Sequence, residues 1–243
     1  GYACPSESSL TIQSTPAPRD SHALHLGASH TGSEFMWSEI HTVTFDYGQK
    51  HNIELDAARK ICELAGVEFD LVKVPQVLRS TSPLTDHSQD LDKYESISEF
   101  KPGLQATFVP GRNILFLTLA ANIAVHHGCK HIVIGVCEED YGGYYDCRSE
   151  FIQAMQIALN QGLFGSDEGL VIHTPLMHLT KAETVNLALS LGEECMQALS
   201  HSHTCYAGTF PPCGKCHACL LRERGFREAG VKDPLMLKLA PSL

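Results

Sequence analysis

A chain of 243 residues is long enough for one large α/β domain or two small ones. Hydrophobic residues make up 43%, a normal globular content, and the longest apolar run, 114–125, is too short to span a bilayer and is broken by Thr118 and Asn122. The formal net charge of −10, with 18 Lys+Arg against 28 Asp+Glu, argues against a protein that coats nucleic acid, because such binding rests on neutralising phosphates.

Residues 1–38 are rich in Ser, Pro, His and Gly and hold no sustained period of 2 or 3.6; Leu10, Thr11 and Ile12 are a poor remnant of a strand. From Glu39 the pattern is regular. Residues 40–46 read as a buried strand and 46–51 as a turn. Ile53, Ala57, Ile61 and Leu64 form the apolar stripe of a helix that Gly66 stops. Residues 67–74 alternate as a second strand. Residues 75–107 carry Pro, Ser, Asp and Thr without a clear period, and so long a loop in a compact domain is usually functional or mobile.

Residues 108–113 (FVPGRN) are a turn entering a helix over 114–127, closed by Gly128. That helix is apolar nearly all round and is expected to be buried. Residues 131–136 read as a third strand, followed by a polar loop over 135–143. A helix is expected over 146–160 and a strand over 170–173. Thr180 and Glu183 have the spacing of a capping box, which predicts a helix from Lys181 to Leu191 stopped by Gly192. A short helix is expected over 220–229. Strands alternating with helices predict a doubly wound, mainly parallel α/β sheet. Ligands of such sheets bind outside the carboxyl ends of the strands, so 46–51, 110–113, 138–148 and 178–181 are expected to meet in one cleft.

Four cysteines, Cys205, Cys213, Cys216 and Cys219, fall within 15 residues as C-x7-C-x2-C-x2-C. Four thiolates in so short a span suit a closed tetrahedral shell, and soft sulfur ligands favour zinc. Gly208, Pro211 and Pro212 supply the turns. The alternative is a pair of disulfides, but no stretch at the start reads as a signal peptide and the x2 spacings favour chelation. The other six cysteines (Cys4, Cys62, Cys129, Cys137, Cys147, Cys195) are scattered, which suits a reducing cytoplasm. An all-cysteine shell is structural, so the chemistry is sought upstream.

Four segments taken together, Thr44–His51 (TFDYGQKH), Phe108–Asn113, 135–148 (GVCEED with DCR) and 204–219, resemble the QueC family of 7-cyano-7-deazaguanine synthases, in order and at fitting spacing from about Glu39 to Pro234. The resemblance implies an ATP pyrophosphatase (PP-loop, adenine nucleotide alpha-hydrolase-like) fold with structural Zn2+ and a homodimer. It divides the chain into an irregular segment 1–38, an α/β nucleotide-binding domain 39–200 and a zinc-binding segment 201–243. It also implies a reaction: 7-carboxy-7-deazaguanine, ammonia and ATP, with Mg2+, give the 7-nitrile through an acyl adenylate. No membrane and no direct nucleic-acid partner are expected.

On that reading, Arg112, Asn113 and Lys181 stand at helix starts, where N–H groups and the dipole favour phosphate, and Gln49 is placed beside the nucleotide. Glu138, Asp140, Asp146 and Arg148 form the densest charged loop; carboxylates suit the N–H groups of a deazaguanine, and an arginine grips its carboxylate in a bidentate manner. Tyr141, Tyr144 and Tyr145 offer rings for stacking. The bland alternatives are a surface Arg112, an N-capping Asn113, a solvated Lys181 and an Asp146 helix cap.

The PP-loop signature S-G-G-x-D-S is missing. Ser14, Asp20 and Ser21 stand near its place, but Pro16 and Pro18 lack the N–H groups of a phosphate nest. Three readings stand side by side: a relative without catalysis, a loop replaced by another part of the chain, or a translation artefact over residues 1–38 joined to a family body. Three further functions compete with the ligase; the first is a tRNA-thiolating relative of the same fold, which would use a reactive cysteine, and no flexible reactive pair is evident outside the cluster. Two remain. One is a non-catalytic zinc-containing binding protein. The other is a zinc-ribbon nucleic-acid module, supported by Lys215, Arg222, Arg224 and Arg227 and weakened by the net charge.

Overall fold

The computed structural model describes residues 9–13, 40–74, 77–138 and 143–239. Its centre is a five-stranded sheet built from β1 (Ser9–Gln13), β2 (Ile40–Asp46), β3 (Glu68–Lys73), β4 (His131–Val133) and β5 (Val171–His173), in the order β3-β2-β1-β4-β5. β2 pairs with β3 and β4 with β5 in parallel, and β1 is antiparallel to both β2 and β4. Four strands therefore run the same way, as the mainly parallel α/β expectation requires, and the central one is reversed.

β1 lies inside the segment expected to be irregular. The remnant Leu10-Thr11-Ile12 is enough because Leu10 and Ile12 are both buried among Val43, Phe45 and Ile132. Burying two such side chains is worth roughly 3–6 kcal/mol, which outweighs poor flanking sequence.

The helices are α1 (Ile53–Ala65), α2 (Arg112–His126), α3 (Ser149–Phe164), α4 (Lys181–Ser190), α5 (Glu193–Leu199), α6 (His217–Glu228) and α7 (Pro234–Leu239). α1 packs on β2 and β3, α2 on β1 and β4, and α3 on β5. Phe45 of β2 stacks on Phe116 of α2, with ring centroids 4.3 Å apart. Gly66 ends α1 in the left-handed conformation, its N–H reaching back to the carbonyls of the last turn. Thr180 and Glu183 form the capping box that starts α4, the Glu183 N–H donating to Thr180 Oγ1 at 3.2 Å.

The expectation that α2 is buried all round is corrected. Phe116, Leu117, Ala120, Ala121 and Ala124 face the sheet, but Ile114 is 48% exposed and Val125 44%. An outer-layer helix buries one stripe only, however apolar its remaining faces are. No described helix is long and apolar enough to cross a membrane.

Candidate functional site

The cysteine cluster is built on the start of α6. Cys216 occupies the N-cap position and Cys219 lies in the first turn, while Cys205 and Cys213 come from the preceding loop. The four Sγ atoms lie within 4.8 Å of one another, with Cys213 and Cys219 3.9 Å apart. A regular tetrahedron around a zinc-sized ion with metal–sulfur bonds of about 2.3 Å has edges of about 3.8 Å. The site therefore fits such an ion without rearrangement. Backbone N–H groups of Cys213 and Cys216 donate to the sulfurs of Cys205 and Cys213, each at 3.3 Å, as is fitting for thiolates. Hydrogen bonds from Cys216 and Cys219 drive the Cys205 thiol down, and the bonds to Cys205 hold those two thiols up. Full deprotonation of four crowded sulfurs requires a cation.

Gly208 turns the knuckle at φ +60, and a Cβ there would lie 2.1 Å from the ring of His51. His51, from the turn after β2, thus packs against the knuckle, and the Tyr206 backbone accepts a hydrogen bond from its ring.

A second feature lies beyond the carboxyl end of β4. An open cavity of about 480 Å3 is lined by Cys137, Glu138, Tyr144, Tyr145, Arg148 and Phe151, among others. That volume is in the range of small-molecule sites. The Arg148 guanidinium carbon lies 5.0 Å from the centre of the Tyr145 ring, and both residues line the cavity. Cys137 also lines a narrower cleft of about 60 Å3 together with Lys181, Thr184, Arg222 and Phe226. Lys181 Nζ reaches Cys137 Sγ at 3.7 Å, so the first residue of α4 points toward the strand end rather than into solvent.

The residues singled out in the sequence fall into three groups. Arg148, Glu138 and Lys181 reach the two cavities. Asp146, Arg112 and Asn113 do converge, but with one another. The Asn113 N–H donates to Asp146 Oδ2 at 3.4 Å and its side-chain amide donates to the Asp146 carbonyl at 2.9 Å. Asp146 thus caps α2 and not the helix that follows it. Burial pushes its carboxyl above the usual range, against the pull of Arg112. Arg112 is 4% exposed, its guanidinium lies 3.5 Å from the Tyr47 hydroxyl, and its Nε has no partner among the described residues. The Tyr47 hydroxyl is itself pushed up to about 12 by burial.

Glu138 serves two purposes: it lines the cavity, and its Oε1 accepts the first N–H of α3 from Ser149 at 2.7 Å. Gln49 is spent locally. Its Oε1 accepts the Tyr47 N–H at 2.9 Å, and its Nε2 donates to the Phe45 carbonyl and to Glu54. A buried amide so engaged has little capacity left for a nucleotide. Ser14, Asp20, Ser21, Asp140 and Tyr141 lie outside the described residues. Sequence reasoning missed Thr107, whose Oγ1 lies 2.6 Å from the Tyr144 hydroxyl, and the Cys137–Lys181 contact. Neither carries a local signal, since both join segments far apart in the chain.

The fold and site define an α/β protein with an open cavity at its strand ends and a knuckle of four cysteines that could hold a metal ion. The family described as queuosine biosynthesis protein QueC matches residues 20–230. A 7-cyano-7-deazaguanine synthase of Gloeobacter violaceus is 52% identical over 201 residues, covering 82% of this chain and 86% of that protein. The synthase of Laribacter hongkongensis is 45% identical, covering 84% and 86%, and that of Thermoplasma acidophilum 40% identical, covering 84% of each. The chain belongs to the QueC family.

Proposed function

We propose that the chain is an ATP-dependent ligase of queuosine biosynthesis that converts 7-carboxy-7-deazaguanine and ammonia to 7-cyano-7-deazaguanine. The observation that carries this reading is the cavity beyond β4, where Arg148, Glu138 and two tyrosines meet. Arg148 suits the substrate carboxylate, Tyr145, with Tyr141, its planar ring, and Glu138, with Asp140, its ring N–H groups. The carboxylate is a poor electrophile until it attacks the α-phosphate of ATP, releasing pyrophosphate. Ammonia then displaces AMP to give the amide, and a second ATP activates the amide oxygen, releasing pyrophosphate, so that this oxygen leaves with AMP as the nitrile forms and the nitrogen gives up its protons. Lys181, on the cleft adjoining the cavity, is placed to meet phosphate charge. Arg112, Asn113 and Asp146 hold the base of α2 and the loop beside it, which makes their role indirect. ATP is taken with Mg2+, the four cysteines hold structural Zn2+, and the protein works as a cytoplasmic homodimer.

A second reading is favoured by the reversal of β1. Gln13, the last residue of that strand, pairs with Ile40 and His131, the first residues of β2 and β4. Gln13 therefore ends β1 at the end of the sheet opposite the cavity. A phosphate loop after the first strand belongs at the other end. On this reading the chain keeps the deazaguanine pocket and the metal and binds without turnover.

Purified protein given ATP, ammonium and 7-carboxy-7-deazaguanine separates the two. The ligase releases pyrophosphate and AMP only when all three are present. Thermal stabilisation by the deazaguanine with no pyrophosphate release, and no ATP binding at millimolar concentration, establishes the binding protein instead.

A further inference from the structure

Residues 77–107, without a period in the sequence, form an ordered strap that touches three parts of the molecule. At one end the Lys50 N–H donates to the Leu84 carbonyl at 2.9 Å, over the turn that follows β2. In the middle the strap lies on the cysteine knuckle. The Tyr94 N–H donates to the Lys215 carbonyl at 2.9 Å, and Lys215 Nζ meets Glu95 at 2.6 Å. Phe100 stacks on His217 with centroids 4.2 Å apart, and Leu84 and Val109 share a buried cluster with Cys205, Tyr206, Cys216 and Cys219. At the far end the strap reaches the cavity. Thr107 is hydrogen-bonded to the Tyr144 hydroxyl at 2.6 Å, and Phe108 lies 5.8 Å from the Tyr144 ring.

A continuous path joins the middle to the far end. The Tyr94 ring meets the Phe100 ring edge-on at 5.0 Å, the Tyr94 hydroxyl donates to Gln105 at 3.3 Å, and Gln105 precedes Thr107 by two residues. Gln105 is pinned in turn by a 2.9 Å bond to the Lys101 carbonyl. Tyr94, Gln105, Thr107 and Tyr144 are all buried, so these bonds are not exchanged with water at no cost.

We infer that Thr107 is a positioning residue for the cavity and that the strap transmits the order of the metal-loaded knuckle, through Tyr94 and Thr107, to Tyr144. Tyr144 lines the cavity, so its ring sets one wall of the space in which a planar ligand lies. The metal then does more than close the C-terminal segment: it fixes the shape of a pocket to which it contributes no ligand. The structural part of this inference stands on the geometry alone. Its consequence for a deazaguanine rests on the function proposed above.

Hydrogen exchange measured on the whole metal-loaded chain tests it. Thr107→Val, which keeps the shape and removes the hydroxyl, is expected to speed exchange over 143–148 about tenfold while leaving 205–219 and the metal content unchanged. Thr107→Ser is expected to restore protection. Chelation of the metal is expected to speed exchange over 205–219, over 77–108 and over 143–148 together. An open knuckle with unchanged exchange over 143–148, or a Thr107→Val chain as protected there as the parent, overturns the inference. If the chain turns over, Thr107→Val raises KM for the deazaguanine about tenfold and leaves KM for ATP unchanged. If it does not turn over, the exchange results still decide, so failure of the proposed reaction and failure of the strap are told apart.

Discussion

Asn113 and Asp146, 33 positions apart, are bonded twice, from the Asn113 backbone N–H to Asp146 Oδ2 at 3.4 Å and from the Asn113 amide to the Asp146 carbonyl at 2.9 Å. The contact ties the start of α2 to the loop beside the cavity. It also gives the buried Arg112 a neighbouring counter-charge. Removing the acceptor altogether leaves a buried N–H without its partner and a buried cation with only the Tyr47 hydroxyl beside it. Asp146→Ala is therefore expected to cost about 2–4 kcal/mol, or about 5–15 °C in Tm. Asp146→Asn keeps an acceptor for the Asn113 N–H but loses the charge beside Arg112, and is expected to cost less than Asp146→Ala by the same thermal melt.

Cys216 is both a sulfur of the knuckle and the N-cap of α6. Cys216→Ser is expected to reduce bound metal from about one ion per chain to near zero, read by elemental analysis, and to lower Tm by about 6–12 °C. Chelator is expected to lower the Tm of the parent by a similar amount and to leave the variant unmoved.

Gln13 is 0% exposed, and neither its Nε2 nor its Oε1 has a hydrogen-bond partner among the described residues. Replacing that amide with a hydrocarbon of similar size removes two unsatisfied polar atoms. Gln13→Leu is expected to stabilise by about 1–3 kcal/mol, a rise in Tm of about 2–8 °C. A fall in Tm would show that the amide meets a partner.

His131 Nδ1 and His173 Nε2 lie 2.9 Å apart on adjacent strands. Burial lowers both from the ordinary value of 6.5, and for His131 so do His173 and Lys130. The unfolded chain therefore binds more protons below that value, and stability falls as pH drops through it. The urea midpoint is expected to be lower at pH 5.5 than at pH 7.5. His173→Gln is expected to reduce that slope without abolishing it, since burial lowers His51, His201 and His203 as well.

Local rules in the sequence were read correctly wherever the partner is near. The Thr180–Glu183 capping box and the Gly66 stop are four-residue and one-residue signals, and both elements begin or end where those signals stand. The cysteine spacing was legible for the same reason, because the shell closes within one short loop and one helical turn. Asp146 shows where such rules stop. Its type reads as a helix cap, but the helix it caps precedes it by 33 residues, and spacing cannot show that. Gln49 shows the converse: a polar residue in a motif looks available until its three neighbours are found to occupy it. The strap over 77–107 was invisible as structure because Leu84, Tyr94 and Phe100 anchor it at irregular intervals, each against the knuckle. The reversal of β1 left no trace either, since strand direction is not written in an alternating pattern.

That reversal has a kinetic consequence. β2 with β3 and α1, and β4 with β5 and α3, are two half-sheets whose strand pairing, among the described residues, meets only through Ser9–Gln13. Each half joins its two strands by its own parallel crossover. The seam between them depends on β1, which lies close to β2 in sequence but far from β4, so pairing Thr11 with Val133 and Gln13 with His131 carries the larger loop-closure cost. Until β1 arrives, β2 and β4 each offer a row of unpaired backbone groups, which makes the half-zipped chain the species most exposed to pairing with its own copies.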